Sequence, residues 1–167
     1  SHIFISHLHG DHYFGLIGLI STFRLLGRVS DLNIYAPKGL QELINLHLKL
    51  SNSWLNYRII FHTLTSKSQK IIIDNSDLSV KTIPLNHRIY TNGFLFEEKF
   101  NERNIKKSKI KEYNFKIEDL KKLKKGQDVY LDDGTKLKNS AVMKNPKKSK
   151  KYAFCSDTAY NTNIIQL

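Results

Sequence analysis

Apolar positions along the chain follow two rhythms. Short runs with strand character occur at 3–5, 32–35, 57–61, 70–73, 78–83, 94–96 and 152–154. From Phe14 to Leu26 the apolar residues instead recur at helical spacing, with Gly27 where a helix would end. A second helix is expected from about Gly39 to Leu50. Strands separated by helices in the first half, then a run of strands, predict an α/β domain whose sheet is covered by helices. The order contains no internal repeat. Residues 101–151 break the rhythm: 105–125 is rich in lysine with Ile, Leu and Tyr interspersed, and Leu131-Asp132-Asp133-Gly134-Thr135 is a turn signal. This stretch reads as an insertion with a short helix and a hairpin, supplying little to the main core.

Composition narrows the class. At 167 residues, 40% hydrophobic and 25% charged, the chain suits one globular domain. No apolar run approaches the roughly 18 residues of a membrane span. The single cysteine, Cys155, cannot form an internal disulfide, and no signal peptide opens the sequence, so a reducing cytoplasm is the expected setting. His2–Ser6 already reads as a strand in mid-flow and little follows Tyr160, so truncation is expected at the N-terminus and also at the C-terminus. The tail ends on residues 166–167, which lie outside the described residues of the structure below.

The net charge of +12 is concentrated. Residues 101–151 hold 17 Lys and Arg against 7 Asp and Glu, and the rest of the chain holds 10 against 8. A localised basic surface suits a polyanion, because each cation near a phosphate releases a condensed counterion. A solvated, lysine-rich surface insertion explains the charge equally well.

The sharpest chemical feature is Ser6-His7-Leu8-His9-Gly10-Asp11-His12, placed after a strand and before a helix. Three imidazoles and a carboxylate so close together are costly unless they hold something. His7 and His9 can point to one side of the turn while Asp11 and His12 aim at a neighbouring point, which gives ligands for two adjacent metals. Gly10 is expected to permit the tight turn. His2, His47 and His62 read as ordinary structural histidines, and Cys155 as a core residue of a strand. Trp54 and Tyr57 could stack on a base, although core or helix-end roles suit them better.

The HxHxDH pattern resembles the metal-binding signature of the metallo-β-lactamase superfamily. The longer stretch Phe4 to Leu16, together with Tyr35-Ala36-Pro37-Lys38-Gly39-Leu40, resembles the ribonuclease Z family within it, the endonucleases that trim the 3′ end of precursor tRNA. The resemblance implies an αββα sandwich, here incomplete at both termini, over residues 1–167 with the basic insertion at 101–151. Leu85-Asn86-His87-Arg88 resembles the segment supplying a third histidine to the first metal, which points to His87. Ser156-Asp157-Thr158 resembles the segment whose carboxylate bridges both metals, which points to Asp157. By the same resemblance His7, His9 and His87 hold one metal, Asp11 and His12 serve the second, and Asp11 orients or deprotonates the attacking water. Two zinc ions are implied for a complete chain, and His-rich sites with carboxylates favour zinc while leaving manganese open. No histidine follows His87, so the family's proton-donor histidine and last histidine ligand have no counterpart in these residues, and the fragment is expected to be inactive.

The insertion lies where many ribonucleases Z carry a protruding tRNA-gripping arm, and 123–129 resembles the sequence near it, although the arm's Gly-Pro element is absent. Lys121, Lys122, Lys124 and Lys125 are the candidate substrate contacts. Precursor tRNA is the implied substrate and a homodimer the implied assembly. Two other readings stay open: another hydrolase of this fold, such as a phosphodiesterase or arylsulfatase, and a non-catalytic nucleic-acid-binding fragment.

Overall fold

The computed structural model describes residues 1–99, 103–113, 115–145 and 148–165. In chain order the elements are β1 (His2–Phe4), α1 (Gly10–Leu25), β2 (Leu32–Pro37), α2 (Leu40–Leu50), β3 (Ile59–Leu64), β4 (Ile71–Asp74), β5 (Leu78–Pro84), β6 (Asn92–Glu98) and β7 (Asn104–Ile105). They continue with α3 (Lys107–Glu112), α4 (Ile117–Lys124), β8 (Val129–Tyr130), β9 (Lys136–Leu137), α5 (Asn139–Val142), β10 (Met143–Lys144), β11 (Lys151–Phe154) and a 3-10 turn, Thr162–Ile164. The fold is mixed α/β with several sheets. It divides into two compact units, one of residues 1–74, 79–96 and 152–167, the other of 75–78 and 97–151.

In the first unit β1, β2 and β3 pair in parallel, joined through α1 and α2. The alternation along β2 explains the packing. Leu32, Ile34 and Ala36 join Leu16 and Ile20 of α1 and Leu40 and Ile44 of α2 in one buried cluster. On the alternate positions, Phe4 stacks on Tyr35 at 5.0 Å between ring centroids and meets Phe94 and Phe96 of β6 at 5.2 and 5.3 Å. β6 belongs to a second sheet of order β11-β6-β5-β4, in which β4 and β5 run antiparallel. Gly93 is required here, because a Cβ at that position would lie 2.5 Å from the Phe154 carbonyl oxygen.

Several expectations shift. α1 begins at Gly10, four residues before the apolar periodicity does, because its first turn carries the polar Asp11 and His12. It ends as expected: Gly27 has φ +74°, with Gly27 N–H donating to the Arg24 carbonyl at 3.0 Å and Arg28 N–H to the Phe23 carbonyl at 2.9 Å. Gly10 is not the turn residue anticipated. It is the first helical residue, outside the positive-φ glycines, and a Cβ there would overlap the Phe14 ring. Cys155 lies just beyond β11 and is exposed, because β11 is an edge strand whose residues are all exposed. Tyr57 precedes β3 and is buried, its hydroxyl donating to the Ile20 carbonyl at 2.9 Å. Trp54 is exposed, with the Arg24 guanidinium 3.9 Å from its ring centroid.

The second unit has a core of its own. Leu123, Val129, Leu137, Val142 and Met143 are buried together, flanked by Ile105, Tyr113, Phe115 and Leu131. Among the described residues of 101–151 there are three short helices rather than one, α4 the longest. The anticipated hairpin is β8–β9, with Leu131–Thr135 as its turn. Buried Asn139 donates to the carbonyls of Leu123 (2.6 Å) and Gln127 (3.2 Å) and accepts from Arg103 (2.8 Å), which satisfies its amide inside this small core.

Candidate metal centre

Three loops of the first unit build the site. The β1–α1 loop brings His7, His9 and, in the first helical turn, Asp11 and His12. The β5–β6 loop brings His87, and the segment after β11 brings Asp157. Backbone bonds fix these loops to one another. Asn92 N–H donates to the Ser6 carbonyl at 3.1 Å, and Ala159 N–H to the Asn86 carbonyl at 2.7 Å. Asn86 N–H donates to the Thr158 hydroxyl at 3.1 Å. Residues 78 and 150 positions apart in sequence thereby face one another.

His9 Nδ1 lies 3.0 Å from His7 Nε2 and 3.2 Å from His87 Nε2. One ligand atom from each of His7, His9, His87 and Asp157 falls within 4.8 Å of the others. Asp11 and His12 stand outside that group but adjoin it: His12 Nε2 is 3.2 Å from Asp11 Oδ2 and 3.7 Å from Asp157 Oδ2. Asp157 Oδ2 is also 3.8 Å from His7 Nε2, so this carboxylate stands between the two sets. The sequence-derived ligands are therefore close together, in the grouping 7–9–87–157 with 11 and 12 alongside.

The donor set fits a divalent cation. His9 Nδ1 has two imidazole nitrogens at hydrogen-bond distance and at most one proton to share between them. A cation there would meet three imidazole nitrogens and a carboxylate oxygen, one ligand atom from each of His7, His9, His87 and Asp157. Burial and the neighbouring His12 and His9 lower the pKa of His7, opposed by Asp157, so this fully buried ring stays neutral and ligand-competent into more acidic solution.

Sequence reasoning passed over three supporting residues. Ser6 Oγ is 3.1 Å from His7 Nδ1 and 2.9 Å from Ser156 Oγ. Arg88 Nε–H donates to His9 Nε2 at 3.1 Å. All three immediately neighbour a ligand in the chain, which is the signal that could have found them. His62 is structural, as expected: it stacks on Tyr35 at 4.2 Å and 8° and bonds Asn33 at 2.8 Å. His2 and His47 are exposed and outside the cluster.

A mixed α/β unit carries a His3Asp cluster that could hold a metal ion, with a second His–Asp pair beside it. Comparison with known proteins makes the relation specific. No family model matches the chain. It is 44% identical to ribonuclease Z of Bacteroides thetaiotaomicron over 166 residues, covering 99% of this chain and 52% of that protein. It is 41% identical to ribonuclease Z of Bacteroides fragilis (99% and 55%) and 35% identical to that of Porphyromonas gingivalis (99% and 55%). Among solved structures, human tRNase Z, short form, is similar with a TM-score of 0.54 and 32% identity, covering 59% of this chain and 45% of that one. The chain is thus related along essentially its whole length to the ribonucleases Z, and it spans about half the length of the curated relatives it matches.

Proposed function

We propose that the protein acts in a zinc-dependent endoribonuclease that removes the 3′ trailer from precursor tRNA. The observation that carries this reading is the convergence of His7, His9, His87 and Asp157 from three separate segments, in a chain whose relatives are ribonucleases Z. His7, His9 and His87 would hold one zinc, Asp11 and His12 would serve a second, and Asp157 would belong to both. The ions, when bound, supply Lewis-acid stabilisation of charge on the scissile phosphate and activate water near neutral pH. Asp11, largely exposed in the first turn of α1, would accept a proton from the attacking water.

We read the two sheets as the ββ layers of an αββα sandwich, a view supported by Phe4 meeting Phe94 and Phe96. The second unit we read as the tRNA-binding arm. Lys121, Lys122, Lys124 and Lys125 are exposed on and just after α4, and Leu123 between them is buried and anchors the helix to its small core. Exposed Phe14, Leu19 and Leu25 on α1, with Leu26 and Val29 beyond it, support a homodimer formed through these apolar residues. Among the described residues no helix is long and apolar enough to cross a membrane, and a tRNA substrate suits a cytoplasmic enzyme.

Metal analysis tests the reading. The protein at its natural length is expected to bind two zinc ions per chain. Asp157→Ala should weaken both sites, and His87→Ala mainly one. Loss confined to a single site in Asp157→Ala would contradict the shared carboxylate.

A further inference from the structure

His7 and His9 are held from behind in opposite ways. Behind His7 stands a hydroxyl, Ser6 Oγ, 3.1 Å from Nδ1. A hydroxyl can accept, so it tolerates the ring proton on the nitrogen that does not face the cluster. Behind His9 stands Arg88, whose Nε–H donates to His9 Nε2 at 3.1 Å. A guanidinium keeps its protons and has no acceptor. His9 Nε2 is therefore bare, and the proton of the neutral ring sits on Nδ1, the atom that faces His7 Nε2 at 3.0 Å and His87 Nε2 at 3.2 Å.

The ring cannot escape by turning over. It stands edge-on to His7 and His87, at 83° and 82° between ring planes, and a half-turn about its Cβ–Cγ bond would bring carbon atoms to all three partners. A protonated nitrogen cannot bind a cation, and a ligating histidine directs its other N–H to a carboxylate, a carbonyl or water. For His9 to offer Nδ1, the ring proton has to sit on Nε2, where it meets the Arg88 Nε–H donor to donor. Arg88 then has to leave. It is exposed and borders a cavity of about 370 Å³, so its side chain has room to swing aside without disturbing the core.

We propose that Arg88 is a metal-responsive latch: bonded to His9 it holds the ring in the tautomer that cannot ligate, and occupancy of the His7–His9–His87–Asp157 centre turns it out into solvent. This rests on the metal-centre reading above, and it makes Arg88 a positioning residue that acts through His9.

The test is nitrogen-15 NMR of the protein at natural length, labelled at histidine and arginine, with and without zinc. His9 should carry its proton on Nδ1 without zinc and on Nε2 with it, and the Arg88 Nε–H signal should shift and exchange faster once zinc is bound. Arg88→Met, which keeps the stem and removes the donor, should release the zinc-free His9 ring toward the Nε2–H tautomer. It should also tighten zinc binding about fivefold, the effect of one net hydrogen bond, with circular dichroism to confirm the fold. Tighter binding with an unchanged His9 tautomer would be plain charge repulsion and would overturn the latch, as would unchanged or weaker binding in Arg88→Met. The wild-type spectra need no variant: a His9 that carries its proton on Nε2 before zinc is added overturns the latch by itself. If zinc binds while the Arg88 signal stays as it was, the metal centre stands and the latch falls. If no zinc binds to either protein, the metal centre falls and takes the latch with it.

Discussion

Replacing Ser6 by alanine tests how the site is prepared for metal. His7 can offer Nε2 as a ligand only if its ring proton sits on Nδ1, and Nδ1 is 3.1 Å from Ser6 Oγ. Ser6 Oγ then accepts a hydrogen bond from that N–H, and it is itself 2.9 Å from Ser156 Oγ, a bond in which either hydroxyl can donate. Both Ser6 and His7 are buried, so Ser6→Ala leaves a buried N–H without an acceptor or lets the ring revert to the wrong tautomer. Either outcome costs roughly 1–3 kcal/mol in the ligand-competent state. That corresponds to a loss of about five- to 150-fold in zinc affinity, which brackets the effect of partners that orient metal-bound histidines. Ser156→Ala should cost less, since Ser6 keeps its bond to His7. Competition titrations with a chromophoric zinc chelator give both affinities, with circular dichroism to confirm that each variant is folded. A folded Ser6→Ala protein with unchanged zinc affinity would refute the tautomer argument, as would a larger loss in Ser156→Ala than in Ser6→Ala.

Two further outcomes are expected. Exchanging Lys121, Lys122, Lys124 and Lys125 for alanine should weaken precursor-tRNA binding and flatten its salt dependence by about 0.7–0.9 for each phosphate no longer neutralised, with a smaller effect on bis-p-nitrophenyl phosphate turnover. Equal effects on both substrates would make these lysines part of the active site or of the fold. The metal-free protein should lose stability as pH falls below 6.5, the ordinary histidine value, because the unfolded chain then takes up a proton at His7 that burial disfavours in the folded state. Above that pH this contribution is fully present. Urea unfolding midpoints at pH 7.5 and 5.5 measure it, and a midpoint that does not drop in acid would contradict the burial argument.

How much was readable from sequence depended on whether local pattern and tertiary role agreed. β2 and α2 were legible because Leu32, Ile34, Leu40 and Ile44 face one core with a clean period. The start of α1 was not, since Asp11 and His12 give its first turn to the site and remove the apolar signal there. Tyr57 reads as a core or helix-end residue in preference to a base-stacking one, and it is buried, but the hydroxyl bond to α1 that holds it is a contact no local window contains. Cys155 reads as a core residue of a strand but lies exposed just beyond β11, because an apolar run reveals neither where the strand ends nor that it lies at a sheet edge. The clustered His7, His9, Asp11 and His12 announced themselves by density. His87 and Asp157 did so only through resemblance, since nothing local distinguishes one histidine or aspartate after a strand. Ser6, Arg88 and Ser156 have meaning only once the loops are folded together. The second unit's private core was hidden beneath its lysines, because Leu123, Val129, Leu137, Val142 and Met143 are too widely spaced in sequence to form an obvious period.

The most direct test is to incubate the zinc-loaded protein at natural length with a precursor tRNA bearing a 3′ trailer and map the termini of the products. Release of the intact trailer with a 5′ phosphate, leaving a 3′ hydroxyl on the tRNA, is predicted, and Asp157→Ala should abolish it. An uncut precursor, or cleavage that persists undiminished in Asp157→Ala, would contradict the assignment of this His–Asp cluster as the centre that breaks the phosphodiester bond.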